Sequence, residues 1–582
     1  MNFFSDGGAS KLVSPSQLVG VMNWISVPAV MVGIGLALCG SVSATAAGEV
    51  TPERLLNTAR EPQNWLMNLG SYDGSRYSGL TGINRDNVSK LVVRYSVPLG
   101  GLIEGSGNYR DALPMSPLVE DGYIYIVDGW GHVSKLDGRE KGKIVWQNKE
   151  LQTNLDSWLV AGRGLALYRN FVIAAASDGR IHWLDRDTGK TVRSVQVGDP
   201  KQGYTIEASP LVVGDRIIVG GGGAERGAVG RIDALHAETG SSLWHVDTLA
   251  TASNPAGLLG GGAISQTGIY DPKSGLTIWG TGHPNPRYIP RMRPGDSLFA
   301  NSVLAIDAET GDLRWHFQYT PGDINGFSED GTHLLVSSAE GADESVVAHF
   351  ANNGYFYGLD GKQGTFQVAT PHVIGIEWTA GIDETGRPRE YKAGAKTQAY
   401  KSGAWQNRPD CPNIKGTSSF ASAYSLRTEL AYGSGADGCM TENIPPIKTE
   451  SAPGWLGAYY SGAAADMGML TAVDPLSGTV KAQRLFDFPL HAGALATAGG
   501  LVFTTTAEGR LHALNDETLE TVWSTKFGSL TNVPPITFAV DGEQFLAVVV
   551  GGNVYTDALS YRPPEMGLSE PLFVLLVLGL PS

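Results

Sequence analysis

The sequence predicts an all-β fold, an eight-bladed β-propeller with tryptophan-docking repeats, and three observations carry that expectation. The 582-residue chain holds 76 glycines, is 42% apolar and only 17% charged, a balance suited to many short strands joined by tight turns. A short phrase recurs along it: an apolar strand, Leu-Asp or a near equivalent, a turn with Thr-Gly, then a tryptophan about four residues on. Successive copies mostly lie about 40 to 70 residues apart, the length of a four-stranded blade.

Residues 1–47 stand apart from this pattern. From Trp24 to Leu38 the chain is almost wholly apolar, and small residues follow to Ala46 and Ala47, the pattern of a secretory signal peptide with its cleavage site. Its removal leaves residues 48–582 as a single propeller in the periplasm, with no integral membrane domain; the alternative is that the segment stays uncleaved as a membrane anchor. Cys39 follows Leu38, which is too large for a typical lipidation signal, so no lipid anchor is expected.

The copies run in order through Leu136-Asp137 with Gly142 and Trp146, Leu184-Asp185 with Thr188-Gly189, Leu235-His236 with Thr239-Gly240 and Trp244, and Ile306-Asp307 with Thr310-Gly311 and Trp315. Weaker ones follow at Leu359-Asp360 with Gly364, Val473-Asp474 with Gly478, and Leu514-Asn515 with Thr518 and Trp523. Each residue type has a mechanical reason for its place. Asp or Asn bonds forward to the backbone of a tight turn, and Gly supplies the positive φ that the turn requires. The tryptophan brings a large apolar surface and one N–H donor, which suits docking against the neighbouring hairpin.

The gap from Asp360 to Asp474 has room for two units, and an eroded copy from Tyr424 to Tyr432 fills it, which brings the count to eight. The apolar tail from Pro571 to Leu580 is too short to span a bilayer. It reads as a strand that closes the ring with N-terminal sequence.

The formal charge of -15, without a basic stripe, repels phosphate backbones and excludes nucleic acid as a partner. Beyond the signal segment only Cys411 and Cys439 remain. An even pair in an exported protein reads as a disulfide.

Several stretches resemble the PQQ-dependent methanol and ethanol dehydrogenases: Trp65 through Val92 with Ser75-Arg76-Tyr77-Ser78 and Ile83-Asn84, Trp279 to Ala305 with Arg293-Pro294-Gly295-Asp296, Thr385-Gly386-Arg387-Pro388, and Ala498-Gly499-Gly500-Leu501-Val502-Phe503. The resemblance implies an eight-bladed propeller whose central funnel holds the quinone PQQ and a Ca2+ or lanthanide ion. It also matches Cys411 and Cys439 to a family disulfide. Arg163, in Gly162-Arg163-Gly164, corresponds to a cofactor-binding arginine, and a guanidinium suits bidentate contact with the quinone. Glu225, after Gly223 and Ala224 on the cofactor wall, corresponds to a metal-ligating glutamate, an oxygen donor of the kind hard cations prefer.

Other positions depart from the family pattern. Ser157-Trp158 replaces adjacent cysteines, Ser265 replaces a tryptophan floor beneath the quinone, and His283 replaces an asparagine metal ligand. Gly326 stands where the family keeps its catalytic aspartate, Asn352 replaces a cation, Ser418-Ser419 replaces an Asn-Trp pair, and Pro114 replaces a cofactor-binding glutamate.

The leading expectation is a periplasmic oxidoreductase that takes hydride from an alcohol onto PQQ beside a metal ion, with Asp323, Glu329 or Asp330 as the relocated base. The metal ligands would be Glu225 and His283. No Cys-x-x-Cys-His haem motif is present, so electrons would pass to a separate acceptor such as a soluble cytochrome c. Two alternatives stay open. One is a catalytically degenerate propeller serving as a binding or assembly scaffold, with the aromatic run Trp455 to Tyr460 as a candidate surface. The other is a funnel re-purposed for metal-assisted hydrolase or lyase chemistry, with His283 and Glu225 joined by His333 or Asp323 around an ion such as zinc.

Overall fold

The computed structural model describes residues 48–101, 116–128, 130–151, 164–176, 178–224, 227–250, 260–286, 293, 295–337, 344–389, 408–412, 421–437, 440–443, 459–463, 467–490, 492–529, 531, 533–551 and 572–581. Within them the chain folds into eight blades of antiparallel strands. Blades 1 to 7 span residues 118–148, 165–196, 211–247, 269–318, 334–371, 423–486 and 494–526. In blade 1 the strands are Leu118–Glu120, Tyr123–Val127, Val133–Asp137 and Lys143–Asn148, paired in that order. The first is wholly buried and the last alternates toward solvent, as expected for a sheet that runs from the axis to the rim.

The repeated phrase builds the turn between the third and fourth strands. Asp185 Oδ1 accepts the amide of Thr188 at 2.8 Å and its hydroxyl at 2.7 Å, and Asp307 Oδ1 accepts the amides of Glu309 and Thr310. The indole N–H of Trp146 donates to the carbonyl of Arg186 in blade 2 at 3.0 Å, and that of Trp244 to Ala308 in blade 4 at 3.3 Å. The turn glycines leave room for these rings. A Cβ on Gly189 would lie 2.4 Å from Trp146, and one on Gly364 2.3 Å from Trp315.

One expected unit is corrected. The segment from Tyr424 to Tyr432 is not a separate blade, because its second strand, Leu430–Asp437, pairs with Met467–Asp474 (Ala431 opposite Val473) and the two hairpins form one sheet. The long gap is made of the link from blade 5 to blade 6 and an insertion between the second and third strands of blade 6, which together form a small sheet of Arg408–Asp410, Met440–Asn443 and Tyr459–Ala463. The eighth blade lacks the phrase altogether. It consists of Ile536–Val540, Glu543–Val550 and Leu572–Gly579, with Val92–Gly101 as its outermost strand. The apolar tail therefore closes the ring on N-terminal sequence, from Val92 opposite Gly579 to Gly101 opposite Leu572.

The segment from Trp65 to Ser78 fills the axis. Successive carbonyls of this pin accept amides from successive blades: Tyr72 from Tyr270 in blade 4, Asp73 from Leu335 in blade 5, Ser75 from Tyr424 in blade 6, and Arg76 from Ala496 in blade 7. Trp65 exchanges two backbone bonds with Val119 in blade 1, and the Tyr72 hydroxyl donates to Val212 in blade 3 at 2.6 Å. Innermost strands would otherwise present unpaired amides to the axis, so the pin satisfies groups that are costly to bury alone. Among the described residues no helix is long and apolar enough to cross a membrane.

Candidate functional site

In blades 1 to 7 the chain runs from the innermost strand outward, so its connections alternate between the two faces of the ring. The Leu-Asp turns share one face. Links between blades and links from second to third strand share the other. Five of the latter carry candidate residues among the described ones: Ala224; Ser265; His283; Asp323, Gly326, Glu329, Asp330 and His333; and Asn352.

Three carboxylates enter this region on the link from blade 4 to blade 5. Asp323 is 1% exposed, and its carboxylate caps the turn that follows, accepting the amides of Asn325 at 2.8 Å and Gly326 at 3.1 Å. Arg293 holds the same loop by donating to the Asp323 carbonyl at 2.8 Å. Gly326 adopts φ +79° and offers no side chain.

Glu329 is fully buried. Its Oε2 accepts the amide of Asn352 at 2.8 Å and lies 3.2 Å from His349 Nε2, while Oε1 accepts the amide of Asn353 at 3.3 Å. Asp330, at 9% exposure the most accessible of the three, is held by hydroxyls: Ser265 donates to Oδ2 and Ser328 to Oδ1, the latter at 2.8 Å. Asn352 donates its side-chain amide to the Ser328 carbonyl. Ser265, Ser328, Asp330 and Asn352 thus form one hydrogen-bonded set where two of the departures from the family pattern fall.

His283 follows the second strand of blade 4 and is buried, with Nδ1 3.2 Å from the carbonyl of Pro284. Gly282 places this loop against the carboxylate link, since a Cβ there would lie 3.2 Å from Ser328 Oγ. Gly223 ends the second strand of blade 3, where a Cβ would lie 1.9 Å from the Gly203 carbonyl, and Ala224 is buried beside it. Arg163, Glu225 and Cys439 lie outside the described residues, as do Pro114, Ser157-Trp158, Ser418-Ser419 and the run from Trp455 to Ala458. Cys411 is buried.

Behind the set lies a cluster that sequence reading largely missed. His333 stacks on His349 with centroids 4.1 Å apart and planes within 7°. His333 Nδ1 faces the carbonyl of Gly331 at 3.1 Å and Nε2 faces the Tyr319 hydroxyl at 3.0 Å. Burial, and then the neighbouring His349 ring, holds the His333 imidazole well below its usual proton affinity. Burial followed by the Glu329 charge pushes the Tyr319 phenol well up. No signal in the sequence brought the two rings together; in the structure Leu334 pairs with Ala348, so the residues flanking that pair, His333 and His349, face each other. Among the described residues no three His, Cys, Asp or Glu side chains are grouped to hold a metal ion.

Comparison with known proteins gives the following. The family described as glucose/ethanol/alcohol dehydrogenase, beta-propeller domain, matches residues 65–371, and outer membrane protein assembly factor BamB matches residues 466–556. The quinoprotein alcohol dehydrogenase PedH of Pseudomonas putida is 33% identical, covering 89% of this chain and 91% of its own. The putative dehydrogenase XoxF of Paracoccus denitrificans is 29% identical over 90% and 92%. Among solved structures, the quinohemoprotein alcohol dehydrogenase ADHIIG from Pseudomonas putida superposes with a TM-score of 0.81 at 27% identity, covering 92% of this chain and 82% of that one. A europium-containing methanol dehydrogenase superposes with a TM-score of 0.78 at 27% identity, covering 91% and 100%.

Proposed function

We propose, from the premise that the chain belongs to the PQQ-dependent quinoprotein alcohol dehydrogenase family, that it is an exported periplasmic propeller which binds a ligand at the inner ends of blades 3 to 5 without the family's dehydrogenation chemistry. One observation carries this reading: Asp330 is anchored by Ser265 and Ser328, so a carboxylate is bonded to the residue that replaces the tryptophan floor.

A carboxylate-bearing quinone beside a metal ion asks for cations, a flat apolar floor and a base. The described residues answer with Asn352 in place of the cation, Ser265 in place of the floor and Gly326 in place of the base. Asp330 brings a carboxyl group to the floor where the quinone asks for a flat apolar ring. These residues do not fit the quinone and its ion, and no proton or hydride step is assigned through them.

A second reading, an alcohol oxidoreductase using PQQ and Ca2+ or another metal and passing electrons to a soluble cytochrome c, is favoured by similarity to alcohol dehydrogenases along nine-tenths of the chain. Arg163 and Glu225 would then hold quinone and metal, with His283 beside them. Its base would be Asp330, whose partners are rotatable hydroxyls, whereas Asp323 and Glu329 are fixed by main-chain amides. The hydrolytic reading would rest on His283 with Glu225. It gains no support from His333, whose ring nitrogens face Gly331 and Tyr319, or from Asp323, whose carboxylate caps a turn. We pair Cys411, which carries a disulfide, with Cys439.

The test is to purify the exported protein, add PQQ with Ca2+, a lanthanide or Zn2+, and follow the quinone absorption band and alcohol-dependent dye reduction. No turnover is expected. Turnover that disappears on replacing Arg163 or Glu225 would overturn the binding reading in favour of the oxidoreductase.

A further inference from the structure

Blade 7 turns a polar face toward blade 6, on the same side of the ring as the candidate site. Register fixes its members: Thr504 lies opposite His512 and Thr506 opposite Arg510 across the second and third strands, and Arg510 opposite Lys526 and His512 opposite Ser524 across the third and fourth. Opposed residues and alternate residues along a strand share one face of a sheet, so these side chains stand together. From the outermost strand of blade 6, Phe486 sets its ring against that of His512 with centroids 4.9 Å apart, and the guanidinium of Arg484 lies over the Phe486 ring at 5.7 Å.

The charges and polar atoms of this face do not balance. Arg510 is paired, with Nε 3.4 Å from Glu508 Oε1 and Nη1 donating to the Ser524 hydroxyl at 3.3 Å. Arg484 is not: its Nε is buried, and among the described residues none bonds to its guanidinium or forms an ion pair with it. The Thr506 hydroxyl donates to the Arg510 carbonyl at 3.4 Å, so it accepts the Nε2 proton of His512 at 3.2 Å. A neutral imidazole has one N–H, which leaves His512 Nδ1 as a buried lone pair with no partner among the described residues. Glu508 Oε2 is a second such acceptor. His512 is 8% exposed and Glu508 7%.

We propose that the face between blades 6 and 7 is a binding site for the hydrogen phosphate ion, with Arg484 and His512 as its principal contacts. A guanidinium offers two parallel N–H donors to an oxyanion, and with Arg510 offset by Glu508 the charge of Arg484 is the one left to compensate. The ion's own O–H supplies the donor that His512 Nδ1 lacks. Burial, followed by the charges of Arg510 and Arg484, pulls the His512 imidazole down to about 4, so the ring is a neutral acceptor and both guanidiniums are near enough to act on it.

Sulfate has the shape and charge of this ion but no proton at neutral pH. A buried acceptor would then face a bare oxygen, and a site built around an O–H rejects the analogue that lacks it. Selectivity for phosphate over sulfate is therefore the signature of the His512 lone pair, while affinity for either anion reports on Arg484. None of these groups belongs to the site proposed at blades 3 to 5, and neither site depends on the other.

The purified full chain is titrated by calorimetry with sodium phosphate and, in parallel, sodium sulfate, at pH 7 and fixed ionic strength. One saturable site per chain is expected for phosphate, with sulfate weaker by about tenfold or more. Arg484→Gln, at a half-buried position, should weaken phosphate by about tenfold or more, and Arg484→Lys by less. His512→Met removes the acceptor, so phosphate loses its advantage over sulfate. No saturable heat with phosphate, sulfate binding as tightly as phosphate, or an unchanged phosphate affinity in Arg484→Gln overturns the assignment. If His512→Met does not fold, the two anions and the Arg484 variants decide alone. Failure to find any ligand at blades 3 to 5 would count against the binding reading and leave these titrations unchanged.

Discussion

The guanidinium of Arg76 reaches the carbonyl of Pro535 at 2.7 Å, so a residue of the axial pin is tied to the segment that enters the eighth blade. The same side chain donates to Ala494 at the start of blade 7 and to Asn68 within the pin, both at 3.0 Å. It is fully buried, and Trp65 lies against it at 5.2 Å. One side chain therefore fastens the pin to the last two blades.

Arg76→Met keeps the apolar stem and takes the guanidinium donor from the carbonyls of Ala494 and Pro535, while that of Asn68 keeps the indole N–H of Trp65. Each unsatisfied buried acceptor costs about 1–3 kcal/mol, offset in part by the charge no longer desolvated. A net loss of about 3 kcal/mol and a lower midpoint in urea are expected. An unchanged midpoint would remove the pin from the account of ring closure.

Acid should weaken the fold through buried imidazoles. Burial pulls His372 and His512 down to about 4 from a usual value of 6.5. The unfolded chain then binds protons that the folded chain refuses, so stability is full above pH 6.5, declines as pH falls toward 4, and levels below that. For His372 the loss is on the order of 3 kcal/mol. Urea midpoints measured at intervals from pH 7 to 4 should fall over this window, and less steeply in His372→Gln.

Gly189→Ala and Gly364→Ala test the contact between blades. Both glycines have φ near +70°, and the added methyl would meet Trp146 or Trp315 well inside contact distance. Strain and overpacking together cost about 2–3 kcal/mol. In Trp146→Ala the penalty of Gly189→Ala should shrink, because the steric part is gone. Equal penalties in the two backgrounds would show that the ring is not what the glycine accommodates.

Gly326→Asp restores the family's residue type but not its setting. The φ of +79° at this position costs a non-glycine residue about 1 kcal/mol, and Ser265, Asp330 and Asn352 remain as they are. The variant is expected to melt slightly lower and to show no alcohol-dependent dye reduction with PQQ and Ca2+. Measurable turnover would mean that one carboxylate was all the site lacked.

Most of the architecture was legible because it repeats. An Asp or a near equivalent, with a Gly, a Trp or both at fixed offsets, marks a hairpin, and seven blades announce themselves in this way. The eighth does not, because its outer strand is Val92–Gly101 and no local period can link segments so far apart in the chain. For the same reason the Tyr424 to Tyr432 hairpin reads as a unit of its own until Ala431 is seen opposite Val473. At the site, residue types identified which positions had changed but not what replaced their interactions. Ser265 and Asp330 are 65 residues apart, and neither the Ser265 bond to Asp330 nor the stacking of His333 on His349 follows from periodicity.

The strand Val92–Gly101 is synthesised long before its partner, Leu572–Gly579, leaves the ribosome. Until then its edge stays open to any other extended segment. A stop codon placed just ahead of Leu572 would leave seven complete blades and one exposed seam. Such a protein should be lost to aggregation rather than accumulate as a slightly shorter ring.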